Sequence, residues 1–337
     1  MKACIILILI SLTVQICALG FLDQYVLKNS YEFSSKRIES TTEPVSDINI
    51  TIPANIKKME LSYDGRYVSY FKNDILYVGD TKENDIKEVS LSKNESIIHC
   101  TWLENREVLI LLKKVKEKGD EKIQLVSYNA KKSTQQIVKD ICEYEKDHEF
   151  KDITMSVLTG VYYINIKAND GDTVYRIDRN DDMSLVEIGD SELSNIQSMR
   201  HVDRLIYQRD NDILITSPNK RLTLSYTGEK SLLGIDENDI VYVGKVANNK
   251  ITSVLYGKLN EDSLIKWNNV DMSEPVDVSD LYFNNKSEIL IINRQDHYIY
   301  NVMTKQKTVY NGELVQVMDK FVASINEKGK LNYNYFN

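Results

Sequence analysis

From about residue 55 onward the chain reads as short runs in which apolar and polar residues alternate, cut by polar turns every six to ten residues. No stretch sustains a helical apolar period with caps over three turns, so the pattern predicts strands. The clearest unit runs from Met59 to Phe71, then Asp74 to Asp80, then Ile86 to Leu91. Asp64-Gly65 lies between two of these runs, where a tight hairpin turn needs positive φ. Four antiparallel strands of this kind make one meander.

The meander recurs. Its third strands begin near residues 74, 122, 173, 212, 251, 298 and 331, a spacing of roughly 33 to 51 residues. In an all-strand chain such a period marks the blades of a β-propeller. The parse gives an all-β propeller of four-stranded antiparallel blades, seven in number, with six or eight as alternatives. The seventh copy (Leu314 to Met318, Phe321 to Ile325, Leu331 to Tyr335) lacks a strand. Asp47 to Ile52 alternates with period two and is the natural donor, pairing with the last blade to close the ring and remove its edge. In blade five the fourth strand is placed at Leu264 to Trp267, and in blade four at Arg221 to Tyr226. Pro218 falls in a hairpin turn, Pro275 between blades five and six, and Pro44 and Pro53 ahead of blade one, so no proline interrupts a strand.

Ahead of the repeats the pattern changes. Met1-Lys2 is a short basic start, Cys4 to Leu19 is nearly all apolar, and Ala18-Leu19-Gly20 offers small residues for cleavage before Phe21. This is the three-part form of a secretory signal peptide, and the run is short for a membrane span of roughly 20 residues. The reading is a signal over residues 1–20, an irregular lead-in over 21–46 and one propeller over 47–337. The product is then secreted or periplasmic, with an uncleaved anchor as the alternative and no membrane span in the mature chain.

Composition narrows the classes. The chain has 337 residues with 42 Lys plus Arg against 50 Asp plus Glu, a net charge of −8, which argues against nucleic acid as the partner. Hydrophobic residues at 42% are enough for a sizeable core, and 21 tyrosines favour strands. Cleavage leaves Cys100 and Cys142. Two cysteines in an exported chain point either to one disulfide or to a pair of buried thiols. Placed in the first strand of blade two and just past its fourth, they sit on connections that geometry could bring within bridging range.

Leu61 to Tyr70, followed by Ile75 to Val78, resembles the repeat of Tol-type propellers, which also builds the N-terminal propeller of prolyl oligopeptidase-like serine peptidases. Tyr63 stands where that repeat has proline. Ile97 to Leu112, with Trp102, and Lys118 to Glu121 look like the next unit of the acylaminoacyl-type branch. The likeness covers roughly residues 53–141 and implies the propeller fold. In that family an α/β-hydrolase domain carries the chemistry through a Gly-x-Ser-x-Gly elbow. This sequence has no such elbow, so the resemblance does not bring the activity with it.

Other candidate chemistry is weighed by spacing. His99, Cys100, Cys142 and His148 are potential zinc ligands without a close ligand pair. Asn169 to Asp172 and Asn180 to Asp182 have calcium-loop composition without the loop's spacing, and turn chemistry explains both. Lys113 to Lys118 is a basic run assigned to a solvated hairpin loop. Tyr162-Tyr163 and Tyr298 with Tyr300 cover strand faces or form stacking surfaces. Asn49, Asn94 and Asn285 head glycosylation sequons. No catalytic, metal or cofactor constellation emerges. The expectation is a monomeric, non-catalytic platform that binds a protein or peptide on a rim. Its alternatives are an accessory propeller of a serine peptidase and a hydrolase or lyase using carboxylates that line the channel.

Overall fold

The computed structural model describes residues 47–169, 171–189, 192–259 and 266–336, together with Gln15 and Leu19. The signal and lead-in assigned to residues 1–46 lie outside the described residues, those two apart. Among the described residues no helix is long and apolar enough to cross a membrane.

The repeats form seven antiparallel sheets, six of four strands and one of three, each in simple sequence order. Together they make a β-propeller. Blade one is Lys57–Leu61, Tyr67–Lys72, Ile75–Asp80 and Asp85–Glu88. Blade two is the longest, with Glu95–Trp102, Val108–Glu117, Asp120–Asn129 and Thr134–Glu143. Blade three runs Glu149–Ser156, Val161–Ala168, Gly171–Ile177 and Met183–Leu185, and blade four Leu193–Ser198, Leu205–Arg209, Asp212–Ile215 and Lys220–Arg221. Blade five is Lys230–Ile235, Ile240–Ala247, Lys250–Lys258 and Asn268–Val276; blade six is Leu281–Phe283, Ile289–Asn293, Tyr298–Asn301 and Lys307–Val309. Blade seven holds Glu313–Val317, Phe321–Ile325 and Leu331–Tyr335. The first strands of neighbouring blades approach one another, so they line the axis.

Alternation explains the core. Second strands are buried on both faces, as in Tyr67–Lys72 and Leu205–Arg209, because each lies between two neighbouring blades. Fourth strands such as Met183–Leu185 and Lys220–Arg221 are short and exposed, which blunts the outer edge. Apolar clusters fill the gaps between blades: Trp102, Leu109 and Leu111 of blade two pack on Tyr67, Leu76 and Val78 of blade one. In six blades the first strand carries a register shift against the second; Lys151 is the extra residue in blade three, between the Asp152–Asn165 and Phe150–Ile166 pairs. Such bulges turn the strand and re-aim the side chains beyond it.

The seam between blades seven and one departs from the expected closure. Asp47 to Ile52 does not become a fourth strand; it makes one bridge, Thr51 with Lys330, and one backbone bond from Ile52 N to Gly329 O at 2.8 Å. Its contribution is apolar: Ile50 and Ile52 are buried with Leu61, Val68, Phe321 and Leu331. Gly65, the glycine of the expected turn, has φ of 75° and lies so close to blade seven that a Cβ would come within 2.8 Å of Phe321 and Tyr333.

Further differences have local causes. The fourth strand of blade five is Asn268–Val276 rather than a run ending at Trp267, because Trp267 packs against the cluster between blades four and five and donates its Nε1 to Thr223 O at 3.0 Å. Pro275 therefore lies within a strand, on the sheet's outer edge and in a register irregularity, where no ladder donor is needed. Lys113 to Glu117 belong to a strand of blade two, not a loop. Lys113 is buried there, with its Nζ 3.1 Å from Glu95 and 2.5 Å from Gln135.

Candidate functional site

In six blades the hairpin joining the first strand to the second closes alike. The backbone N–H just past the first strand donates to the residue that opens or just precedes the second: Ser62 to Tyr67, Leu103 to Val108, Met199 to Arg204, Asp236 to Ile240, Asn284 to Glu288 and Met318 to Phe321. The residue after each donor occupies an equivalent place on one rim around the axis. Those residues are Tyr63, Glu104, Arg200, Glu237, Asn285 and Asp319. Blade three turns differently, with Gly160 N donating to Ser156 O at 2.8 Å, and contributes no equivalent.

This ring is tied blade to blade. Leu61 N donates to Gln316 Oε1 at 2.9 Å, joining blades one and seven. Trp102 Nε1 donates to Ser69 Oγ at 3.0 Å, and Thr154 and Ser198 hydroxyls meet at 2.9 Å. Arg200 N donates to Asp239 Oδ1 at 2.6 Å, Asn238 Nδ2 to Asn285 O at 2.8 Å and Asn285 N to Asp319 Oδ1 at 3.0 Å. Sites on loops over so fixed a scaffold are preorganised.

Arg200 is the hub. Its Nη2 lies 2.7 Å from Glu104 Oε1, so the side chain reaches from blade four across the front of blade three to blade two. The guanidinium also donates to Met155 O at 3.3 Å and to Ile235 O at 3.4 Å. Glu104 keeps 48% of its side chain accessible, whereas Arg200 keeps 13%. Next along the loop, His201 Nδ1 lies 2.8 Å from Asp239 Oδ2, a buried carboxylate that fixes the ring.

Beneath the ring lies a cavity of about 210 Å³, lined by residues of blades two, three and four that include Trp102, Glu104, Asp152, Tyr162, Gln197 and Arg200. Asp152 follows the blade-three bulge and alternates with Thr154 and Ser156, whose hydroxyls reach blade four. Burial pushes its carboxyl up to about 6, against one hydrogen bond from Ile153 N at 2.8 Å. Asp319 is likewise pushed to about 6, by burial and then by the charge of Glu237, with Glu104 adding to it. Glu104, open to water along the ring yet crowded by protein on its other sides, is raised by partial desolvation, opposed by Arg200 and reinforced by Glu237. The Tyr282 hydroxyl, 3.2 Å from Asp319 Oδ1, is raised by burial and by the same three carboxylates. Glu104, Glu237 and Asp319 thus share one acidic mouth with a single guanidinium.

Most residues singled out in the sequence lie elsewhere. Cys100 and Cys142 are free thiols. Cys100 packs between blades one and two and Cys142 between blades two and three, on the first and fourth strands of one sheet. Three strand spacings of about 4.8 Å separate those strands, beyond the Cα reach of a bridge. Of the two alternatives, this arrangement is that of two separate thiols. Nor are the four zinc candidates brought together. His99 packs on Phe150 with ring centroids 4.4 Å apart, and His148 lies with Glu145 and Asp147 at the surface. Asp172 accepts from Leu193 N, tying blade three to blade four, and Asp178 caps the turn at Asn180 to Asp182. Tyr163 donates to Asp203, while Tyr162 lines the cavity. Tyr298 has Lys307 Nζ 4.2 Å above its ring. Asn94 is exposed and donates its Nδ2 to Lys116 O at 2.5 Å; Asn49 is exposed and Asn285 half-buried.

No family model matches the sequence, and no curated protein matches it. Solved structures do. The β-propeller domain of Cps50 (Swd1) from Myceliophteria thermophila is similar over 86% of this chain and 99% of its own, with a TM-score of 0.51 and 12% identity. A prolyl endopeptidase is similar over 82% of this chain and 49% of its own, with a TM-score of 0.52 and 11% identity. An oligogalacturonate lyase in complex with manganese aligns over 83% of this chain and 76% of its own at 0.46 and 10%. The likeness is one of fold. What the two structures above 0.5 support is the propeller fold.

Proposed function

We infer that the protein is an exported, non-catalytic platform that engages a protein or peptide partner at the acidic mouth. One observation carries the reading: each of six hairpins delivers one residue to a common rim, and cross-blade hydrogen bonds hold them while Glu104 stays accessible to water. A rigid, wet, charged rim favours recognition and fast encounter with a complementary surface. The apolar run before Phe21 supports export, and the acidic balance of the chain supports a partner other than nucleic acid.

The test is capture of a partner by the mature chain, repeated with Glu104→Lys, Glu237→Lys and Asp319→Lys combined. The expected outcome is one partner, recovered by the native ring and lost on charge reversal, from a protein whose mass starts near Phe21. Equal recovery by both forms would remove the mouth from the reading. Turnover of a peptide or an acidic glycan by the protein alone would replace it with the hydrolase or lyase alternative.

A further inference from the structure

The cavity under the mouth carries a more specific reading. At about 210 Å³ it is smaller than the ~300–1,000 Å³ pockets that hold drug-sized ligands, and at about 30 Å³ per water it has room for one amino-acid side chain. Its walls mix the apolar surface of Trp102, Met155 and Tyr162 with two carboxylates and one guanidinium. The buried Nε of Arg200 has no partner among the described residues, but both terminal nitrogens of the guanidinium are committed, Nη2 to Glu104 and Ile235 O and Nη1 to Met155 O. Asp152 is not. Among the described residues no Lys, Arg or His nitrogen pairs with it, and its hydrogen bond comes from its neighbour's backbone. A part-buried carboxylate without a counter-ion favours taking a proton or a cation.

An anion would face Asp152 and Glu104 directly, with Glu237 and Asp319 above them. A neutral group would leave the charge uncompensated. A metal ion needs several oxygen ligands close together. Among the described residues the one set of three His, Cys, Asp or Glu side chains near enough is Glu145, Asp147 and His148, which does not line this cavity. A long apolar stem ending in a cation satisfies both walls and floor.

We propose that this cavity binds the side chain of a lysine or arginine presented by the peptide partner, with the Asp152 carboxylate as its counter-ion. That the side chain arrives on a peptide rests on the platform reading; the selection of a cation rests on the cavity alone. The acidic mouth draws the side chain in, the Trp102, Met155 and Tyr162 surfaces take its methylenes, and the Asp152 carboxylate pairs with its cation.

The test uses N-acetyl-lysine methylamide and its neutral counterpart acetylated on Nε, titrated by calorimetry into the mature chain and its Asp152→Asn variant. Saturable binding of the cationic probe is expected, weaker by about tenfold or more for the neutral probe and for the variant, as loss of a charge-assisted bond requires. The variant should melt no lower than the native chain, which separates lost binding from lost folding. Equal affinity for both probes, equal affinity of both proteins, or no saturable binding overturns the proposal. If the cationic probe binds through Asp152 while no partner is captured, the platform reading fails and the cavity stands. If a partner is captured and the probe ignores Asp152, the cavity fails alone.

Discussion

At the seam where blade seven meets blade one, the contacts are aromatic and aliphatic. Phe321 stacks on Tyr333 with centroids 4.4 Å apart, Ile50 and Ile52 are buried beside them, and the Tyr333 hydroxyl donates to Gly65 O at 2.7 Å. At the mouth, three carboxylates, one guanidinium and a cavity occupy comparable positions on the rim. The seam gains stability from area removed from water. The mouth does the opposite: Asp152 and Asp319 bind protons more tightly when folded, so ionising them at neutral pH costs stability. An arrangement that folding does not favour marks where a ligand is to be sought. Substitutions at the seam should therefore move stability, and substitutions at the mouth should move binding and pH response.

The largest effect belongs to the seam. Deleting residues 47–52 removes two isoleucines that are at most 2% exposed. At about 2–5 kcal/mol for each such side chain, the loss is a large part of a domain's stability. Denaturant unfolding should show a collapsed midpoint, with aggregation. A melt equal to that of the undeleted chain would show that one bridge and two buried side chains do not secure the ring. Next comes Gly65→Ala, which adds a methyl within 2.8 Å of Phe321 and Tyr333 at a φ of 75°. Overpacking together with a left-handed alanine should cost about 1–3 kcal/mol by the same measurement, with probe binding at the mouth unchanged.

The mouth supplies the third test, with the opposite sign. Both carboxyls rise from 3.8 to about 6, so their contribution to stability is full below pH ~4 and is lost as pH climbs through 6. Asp152→Asn combined with Asp319→Asn should flatten that slope and leave the variant more stable than the native chain at pH 8, by about 1–3 kcal/mol. Arg200 and Glu104 face the same cavity, and Tyr282 and Glu237 act on Asp319, so the slope belongs to the group rather than to one residue. A native chain whose stability between pH 5 and 8 matches the double variant would undo the contrast. The smallest effect concerns the thiols. Burial pushes Cys100 to about 12 and raises Cys142, so the folded protein should react slowly and the unfolded, unreduced protein should titrate two thiols. Finding none would restore the bridge.

The strand rhythm was legible because alternation, turn residues and repeat spacing are local. Leu314 to Met318, Phe321 to Ile325 and Leu331 to Tyr335 were read within a residue or two of the strands observed. Asp64-Gly65 carried its turn for the same reason. Edge strands were less legible, since Asn268–Val276 is exposed along most of its length and has little apolar pattern to betray it. The sequence left the cysteines' state open because it places both in one blade without saying that they face opposite neighbours.

The site itself was beyond reach of a single reading. Glu104, Glu237, Asp319 and Asn285 look like ordinary hairpin residues, chosen for turns whether or not they meet. Aligning the hairpins by the residue that follows each first strand would have put them in one register, but the pairing of Arg200 with Glu104 would still be missing. The chain alone determined successive strand meanders and their order, with seven favoured over six or eight, because each strand is selected by its own alternation and by the turn beside it. Only the closed ring decided which hairpin residues face one another, that an arginine of blade four reaches blade two, and that Asp152 has no counter-ion among the described residues. Those relations join residues about 50 to 220 positions apart, and ring geometry rather than local pattern brings them together.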